Sequence, residues 1–426
     1  MNSRLSLLSL FLVWCATAAE PDWPQFRGPN RDGHSPDKGL LKSWPEDGPP
    51  LAWKAEGVGI AFSSVAVVGD KVLTMGDADD ASHVYAVSRA DGKTLWEAKV
   101  GRAGEGGGYP GSRSTPTVDG DKVYALGPHG DLVCLNLADG KEQWKVSLSK
   151  DFKGAGGGWQ YSESVLVDGN QLVCTPGGRE ATMLALDKKT GKVIWKGLTP
   201  ERESAGYSSI VVSNAGGTKQ YVTLTSLGVV SFAADSGKLL WQYGNTDAKD
   251  RKDKRFFNTT ANIPTVVLTD DPNQIFATAG YDRGGALIKL ESEGGKINAD
   301  ELYWSDKLKN KHGGVVRVGD YLYGDDNDSG QLWCAEVKSG KVIWHREDKT
   351  GASGSASLCY ADGMLYVRFQ NGFVSLIEAN PAAYKRVSTF KVPNGTGNCW
   401  AHPVVIGGKF FVREKDVIWC YDVTAK

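Results

Sequence analysis

The chain has 426 residues, 49 Lys and Arg against 50 Asp and Glu, and a formal net charge of -1. This balance lacks the basic patch expected of a protein that binds nucleic acid or an anionic membrane surface. Its 53 Gly and 14 Trp point to repetitive β-structure with tight turns and large aromatic anchors.

The first 19 residues carry the features of a secretory signal. Arg4 supplies the charge, Leu5 to Val13 the apolar stretch and Ala16 to Ala19 the small-residue cleavage region. The apolar stretch is too short to span a bilayer. We therefore predict a signal peptide over residues 1–19, no membrane span, and export to the periplasm or the extracellular space.

An irregular leader follows over residues 20–50. It is rich in Pro, Gly and Asp and shows no hydrophobic periodicity. Trp23, Phe26 and Trp44 indicate that it packs on the rest of the molecule instead of remaining free in solvent.

Residues 51–426 repeat one unit with a period of about 45 residues, which predicts a repeat architecture. The clearest copy, Ala185 to Trp195, reads ALDKKTGKVIW. An alternating strand enters a Thr-Gly-Lys turn, where Gly allows positive φ. The Trp that follows suits a packing anchor between neighbouring sheets. Degraded copies end at Trp96, Trp144, Trp241 and Trp344.

Each unit also opens with an apolar strand and a two-residue glycine turn, which is a strong hairpin signal. These turns are Gly69-Asp70, Gly120-Asp121, Gly169-Asn170, Gly319-Asp320, Asp362-Gly363 and Gly407-Gly408. The pattern predicts four antiparallel strands per unit, which is the content of a propeller blade. The units begin near Ser63, Ser114, Ser162, Tyr207, Asn262, His312, Gly354 and Trp400.

The eighth unit is one strand short. Leu51 to Glu56, with Trp53 in the anchor position, matches the missing strand. We predict an all-β, eight-bladed β-propeller of four-stranded antiparallel blades. The N-terminal strand closes the ring, because it pairs an edge that would otherwise be exposed. We also expect a monomer.

Two features outside the repeats need interpretation. Lys249 to Arg255 carries charges of both signs and predicts a solvated insertion. Cys134, Cys334 and Cys420 occupy the position of Ala185 in their repeats, which favours small buried side chains over a disulfide framework. The pairing of Cys174, Cys359 and Cys399 stays open.

The repeat resembles the tryptophan-docking motif of the pyrroloquinoline-quinone-like β-propeller family, which Ala185, Asp187, Thr190, Gly191 and Trp195 match in full. The leader from Trp23 to Gly33 also resembles the opening of secreted members. The family contains quinone-dependent dehydrogenases and a scaffold lipoprotein of outer-membrane barrel assembly, so the resemblance implies pyrroloquinoline quinone and Ca²⁺ as candidate cofactors. However, the sequence has no vicinal cysteine pair of the kind that many of the dehydrogenases carry.

A second pattern concerns calcium. Asp325, Asn327, Ser329 and Glu336 follow the spacing of a helix-loop-helix calcium loop. Predicted strands flank the stretch, so we favour an acidic hairpin turn and keep a metal site as the alternative.

Blade geometry supplies the candidate site. Segments that lead into the first strand of each blade crown one face of a propeller, so their polar and aromatic side chains should face a common funnel. These are Arg113, Tyr161, Glu163, Asn262, His312, Trp400 and His402. Alternatively, these groups bond to one another and plug the channel. We predict a non-catalytic binding or scaffolding module for a protein, peptide or glycan, with a quinone-dependent alcohol or sugar dehydrogenase as the alternative.

Overall fold

The computed structural model describes residues 20–244, 262–348, 350–393, 395 and 397–425. The predicted signal peptide and the charged insertion at 249–255 lie outside these residues. Eight four-stranded antiparallel sheets form the described structure, as predicted for an eight-bladed propeller.

The first four blades follow the chain in order. Blade one contains β2 Ala66–Val68, β3 Lys71–Ala78, β4 Ala81–Ser88 and β5 Thr94–Arg102. Blade two contains β6 Thr117–Asp119, β7 Lys122–Leu126, β8 Asp131–Asn136 and β9 Glu142–Ser147. Blade three contains β10 Leu166–Asp168, β11 Gln171–Cys174, β12 Met183–Asp187 and β13 Val193–Gly197. Blade four contains β14 Val211–Ser213, β15 Gln220–Leu224, β16 Gly228–Ala233 and β17 Leu239–Gly244.

The remaining blades have the same order of strands. Blade five contains β18 Val267–Leu268, β19 Gln274–Ala279, β20 Gly284–Glu293 and β21 Lys296–Ser305. Blade six contains β22 Val316–Val318, β23 Tyr321–Asp326, β24 Gln331–Glu336 and β25 Val342–His345. Blade seven contains β26 Ala356–Ala361, β27 Met364–Phe369, β28 Phe373–Glu378 and β29 Arg386–Lys391. Blade eight contains β30 Val404–Ile406, β31 Lys409–Glu414 and β32 Val417–Asp422, and β1 Leu51–Glu56 is its fourth strand.

Helix is almost absent from the described residues. A one-turn α-helix, α1, spans Leu148–Asp151, and short 3-10 turns span Gly106–Gly108 and Ala215–Gly217. Within the ranges given above, no helix is long and apolar enough to cross a membrane.

The ring closes as predicted. Strand β1 pairs antiparallel with β32, and Trp53 lies opposite Cys420 in the register in which Trp195 lies opposite Ala185. Arg413 on β31 stabilises this closure, because its Nη2 donates to the carbonyls of Val58 at 3.1 Å and Gly59 at 2.7 Å, in the segment between β1 and β2.

Anchor tryptophans connect adjacent blades. The indole Nε1 of Trp53 donates to the carbonyl of Arg89 in blade one at 2.9 Å. A Cβ on Gly92 would lie 2.6 Å from Trp53 Cε3, so only glycine lets the turn approach the ring this closely. The same bond to the next blade is made by Trp96, Trp144, Trp195 and Trp344.

Blade five departs from this pattern. Its last strand carries Tyr303 in the register position of the anchor, opposite Leu287, and the Tyr303 hydroxyl donates to the carbonyl of Val337 at 2.8 Å. The neighbouring Trp304 does not take this role, because its indole donates within its own blade, to the carbonyl of Arg283 at 2.9 Å.

The leader crosses the inner strands of the ring. Trp23 exchanges backbone hydrogen bonds with Val67 on β2, and the amide of Val118 on β6 donates to the carbonyl of Pro24. Further along, Tyr360 on β26 donates to Gly33 and accepts from Ser35. The leader therefore lies across the propeller axis and is part of the folded core.

All six cysteines in the described part of the chain are buried and free. These include Cys174, Cys359 and Cys399, whose pairing the sequence left open. Burial raises the pKa of the Cys359 and Cys420 thiols to about 12. They behave as small apolar side chains.

Candidate functional site

Segments that lead into the first strands surround a cavity of about 180 Å³ on the propeller axis. We call this cavity the funnel. Aromatic and imidazole rings dominate its wall: Phe26, Phe62, Tyr109, Trp159, Tyr207, Tyr281, His312, Trp400 and His402. The cations Arg113 and Lys311 also line it, as do the hydroxyl-bearing side chains of Ser162, Ser164, Ser209 and Thr265. Ile263, Pro264 and Gly314 complete the wall.

Trp400 is the centre of the aromatic wall. The His312 ring stacks on it with centroids 4.6 Å apart and an interplanar angle of 20°. Phe62 lies 4.7 Å away and Tyr109 meets it edge-on at 5.2 Å. The indole Nε1 donates to Gln370 Oε1 at 2.9 Å, which fixes the ring's orientation. These contacts make the wall preorganised.

The two histidines of the funnel are uncharged at neutral pH. Burial lowers the pKa of both His312 and His402 to about 3. His312 Nδ1 lies 3.0 Å from the Ser355 hydroxyl, and His402 Nε2 lies 3.0 Å from the His312 carbonyl. Because a carbonyl only accepts, His402 carries its proton on Nε2.

The leader forms the floor of the funnel. Phe26 packs against His402 with ring centroids 4.8 Å apart. Arg27 Nη2 donates to the carbonyl of Val315 at 2.7 Å, and Arg31 Nη1 donates to those of Ser164 at 2.8 Å and Ile210 at 3.0 Å. These arginines bind the leader to the backbone of blades three, four and six, so the axis is closed beneath the aromatic wall.

Four of the seven predicted site residues line the funnel, namely Arg113, His312, Trp400 and His402. The other three are buried beside it and face away. Tyr161 donates its hydroxyl proton to the carbonyl of Pro176 at 2.7 Å, and Asn262 Nδ2 donates to that of Thr225 at 2.6 Å. Glu163 accepts from the amide of Thr175, and burial raises its pKa to about 7.

Glu163 and the funnel histidines are therefore not an acid–base pair. The serines on either side of Glu163 line the cavity, whereas its own side chain points in the other direction.

The predicted calcium residues do not converge. Asp325 is buried at the funnel end of blade six, where its carboxylate accepts from the amide of Ala356 at 3.0 Å. Glu336 pairs in register with Tyr321 at the opposite end of β23 and β24, and accepts from the Ser339 hydroxyl. Asn327 accepts from the amide of Tyr281 at 3.1 Å, and the Ser329 hydroxyl donates to the carbonyl of Asp326 at 2.7 Å. The stretch is the acidic hairpin turn that the sequence analysis favoured.

The cofactors implied by the family resemblance can be tested against these residues. Ca²⁺ prefers several oxygen ligands, including carboxylates. Among the described residues, no carboxylate lines the funnel and no group of three or more His, Cys, Asp or Glu could hold a metal ion. Trp400, one of two indole rings in the wall, already packs against His312 and Phe62. The residues present therefore do not fit a quinone held with calcium.

Sequence reasoning missed most of the aromatic wall. Tyr109 and Trp159 stand in glycine-rich segments that lead into blades two and three, so their positions could have been predicted from the same pattern. Phe62 immediately precedes the first blade and Tyr207 opens the fourth, which are equivalent positions in the repeat. Phe26 had no such signal, because its place depends on the path of the leader.

Fold and funnel together define an eight-bladed propeller of the pyrroloquinoline-quinone-like class. A family model described as "Outer membrane protein assembly factor BamB" matches residues 80–346, which is more than half of the chain. The chain belongs to this family.

Curated relatives are distant. An outer membrane protein assembly factor BamB from Shewanella oneidensis is 23% identical over 277 residues, which cover 59% of this chain and 60% of that protein. A tetrathionate hydrolase from Acidithiobacillus ferrooxidans is 22% identical over 337 residues, covering 78% of this chain and 53% of that enzyme. The chain thus spans little more than half the length of these relatives.

Solved structures share the fold at low identity. BamB from Moraxella catarrhalis superposes with a TM-score of 0.56 at 13% identity, covering 85% of this chain and 94% of the other. A quinohemoprotein alcohol dehydrogenase from Comamonas testosteroni superposes with a TM-score of 0.65 at 14% identity, covering 96% of this chain and 82% of the other. One fold therefore spans assembly factors and dehydrogenases, and the site must distinguish them.

Proposed function

We propose that the chain is an exported, monomeric, non-catalytic propeller that binds a polypeptide segment of a partner protein in the funnel. The observation that carries the proposal is the preorganised aromatic wall around a cavity whose floor the leader closes. Concave apolar cavities with a few fixed polar groups are the usual form of a binding site. Membership of a family named for outer membrane protein assembly supports a protein partner.

Three further features favour binding over catalysis. The histidines are buried and uncharged, Glu163 faces away from the cavity, and the charged groups of the wall are cations. Export is supported by the signal-like residues 1–19. A monomer is supported by ring closure, because β1 pairs with the edge of β32 that would otherwise be exposed in blade eight.

A site-specific photocrosslinker tests the proposal. Benzoylphenylalanine replaces Tyr109, which lies at the mouth of the funnel with 37% of its surface exposed, or Leu95, a control on the outer strand β5 with 46% exposed. Each protein is expressed with its own residues 1–19, the predicted signal peptide, and the cells are irradiated so that crosslinks form in the periplasm. We expect a discrete protein adduct from position 109 alone, lost when Trp400→Ala is added.

The adduct is then identified by mass spectrometry, and the purified partner is titrated against wild-type and Trp400→Ala protein. Equal adducts from both positions, or an adduct at 109 that survives Trp400→Ala, would contradict binding in the funnel.

A further inference from the structure

Arg113 brings a positive charge into the funnel. Among the described residues, no carboxylate forms an ion pair with it, and Asp77 acts on it only from a greater distance, in the direction that raises its pKa. Its Nη1 donates to the carbonyl of Gly111 at 3.0 Å, and its Nη2 donates to those of Tyr109 at 2.8 Å and Gly106 at 3.3 Å. The guanidinium also lies over the Phe62 ring, 5.3 Å from its centroid. Partial burial lowers its pKa, which shows that the charge has lost part of its hydration.

The other charges of the wall cancel. Lys311 Nζ forms an ion pair of 2.6 Å with Asp328 Oδ2. His312 and His402 are uncharged at neutral pH. Arg27 lies beneath the floor, close to His402, and adds positive rather than negative potential. Among the described residues, the funnel is therefore an aromatic cavity with one positive charge, that of Arg113, which no carboxylate pairs directly.

The size of the cavity limits what can enter. A cavity of about 150 Å³ in another protein accommodates benzene, and the funnel measures about 180 Å³. One aromatic side chain fits, and its ring can meet the Trp400 wall edge-on or in an offset stack. A carboxylate next to that ring would accept charge-assisted hydrogen bonds from Arg113 and so replace the water contacts that this side chain has lost.

We propose that the segment bound in the funnel presents an aromatic side chain with a carboxylate beside it, and that the carboxylate pairs with Arg113. This rests on the proposed function, because it takes the ligand to be a polypeptide. Within a polypeptide the carboxylate has two sources, a C-terminus that follows the aromatic residue, or an adjacent internal aspartate or glutamate. The recognition chemistry is the same for both.

Peptide titrations test the proposal on the full mature protein. The probes are a hexapeptide ending in phenylalanine with a free carboxylate, the same peptide as its C-terminal amide, and a capped peptide with internal adjacent phenylalanine and aspartate. Glucuronic acid serves as a non-peptide carboxylate. Affinity is measured by calorimetry at low and high salt against wild type, Arg113→Gln and Arg113→Lys.

At least one carboxylate peptide should bind wild type about tenfold or more tightly than the amide, since a desolvated charge pair is lost. Arg113→Gln should remove this difference and its salt dependence, and Arg113→Lys should restore part of it. The free-terminus and internal peptides then identify the source of the carboxylate. Arg179→Gln is the matched control, because it neutralises an exposed arginine that does not line the funnel and should keep the preference.

The inference would be overturned if neither carboxylate peptide bound wild type more tightly than the amide, if glucuronic acid alone bound, or if no peptide bound. The comparison of the carboxylate and amide peptides uses wild-type protein only. It therefore stays valid even if Arg113→Gln disturbs the loop that Arg113 supports. The crosslinking experiment separates the two ideas. Adducts at position 109, together with equal binding of both carboxylate peptides and the amide, would retain the polypeptide site and remove the carboxylate requirement.

Discussion

The backbone amide of Trp44 in the leader donates a hydrogen bond of 2.8 Å to the hydroxyl of Ser388 in blade seven. Ser388 lies opposite Leu376, the register position that a tryptophan occupies in most blades. The Trp44 ring packs against Tyr366 at 5.5 Å and stacks on Phe410 of blade eight at 5.8 Å. The leader thus supplies the aromatic anchor that the last strand of blade seven lacks.

Trp44→Ala should accordingly destabilise the propeller. Removing a buried tryptophan typically costs about 3–5 kcal/mol of unfolding free energy, and Trp44 is 7% exposed. Urea unfolding of the mature protein measures the change. Leu198→Ala is the control, since Leu198 is 40% exposed and should change stability little. Equal effects of the two substitutions would show that Trp44 is not an interblade anchor.

Arg31→Met should destabilise the leader and the floor of the funnel together. The substitution keeps much of the side-chain volume but leaves the carbonyls of Ser164 and Ile210 without their donor. The carbonyl of Val165 loses one of its two donors and keeps the Thr117 hydroxyl. Each buried unsatisfied group costs about 1–3 kcal/mol. We expect a lower unfolding midpoint and faster protease cleavage within residues 20–50, relative to Arg179→Met at an exposed position. An unchanged cleavage rate would contradict the role assigned to Arg31.

Glu163 should make stability depend on pH. Burial raises its pKa from 4.5 to about 7 in the folded protein, so folding holds the proton more tightly than the unfolded chain does. The wild type should therefore lose stability as pH rises from about 4.5 to 7, and then level off. Glu163→Gln should flatten this fall and be more stable than wild type at pH 8.

Glu142→Gln, at an exposed position, is the control for that series. Thermal melts at each pH measure the stability of wild type and both variants. If the difference between wild type and Glu163→Gln were constant from pH 4.5 to 8, the carboxyl would not be titrating in the folded protein as its burial requires.

The thiols should be unreactive until the protein unfolds. All six described cysteines are buried and free, and burial raises the pKa of Cys134 to about 11 and of Cys334 to about 12. Both effects suppress the reactive thiolate. The native mature protein should show no fast reaction with a thiol reagent, and six thiols should react in guanidinium without reductant. Only four or fewer reactive thiols would reveal a disulfide.

Most of the fold could be predicted from the sequence, because most blades contain recognisable turn sequences of their own. The Thr-Gly-Lys turn and the glycine hairpins fix strand order locally, and the unpaired Trp53 segment revealed the closure. The anchor in blade five was not identified, because its turn is altered and Tyr303 performs the role of a tryptophan. A hydroxyl that reaches the same carbonyl cannot be recognised from a tryptophan pattern.

The candidate site was predictable only in part. Spacing identified which segments reach the axis, and Arg113, His312, Trp400 and His402 do line the cavity. It did not identify the direction of each side chain, so Glu163 and Asn262 were expected to face the funnel but do not. Trp44 and Phe26 depend on contacts with blades more than 300 positions away along the chain, and no local pattern encodes these contacts.

The position of the leader also orders the steps of folding. Residues 23–35 bind the inner strands of blades one and seven, and β1 needs β32 as its partner. A segment translated early thus finds its binding surface only after the last blade has emerged. Early blades can form local hairpins at once, but the axis remains open until the whole ring is present. We expect the final, slow kinetic phase of refolding to report the seating of this segment, since contacts between distant parts of a chain form late.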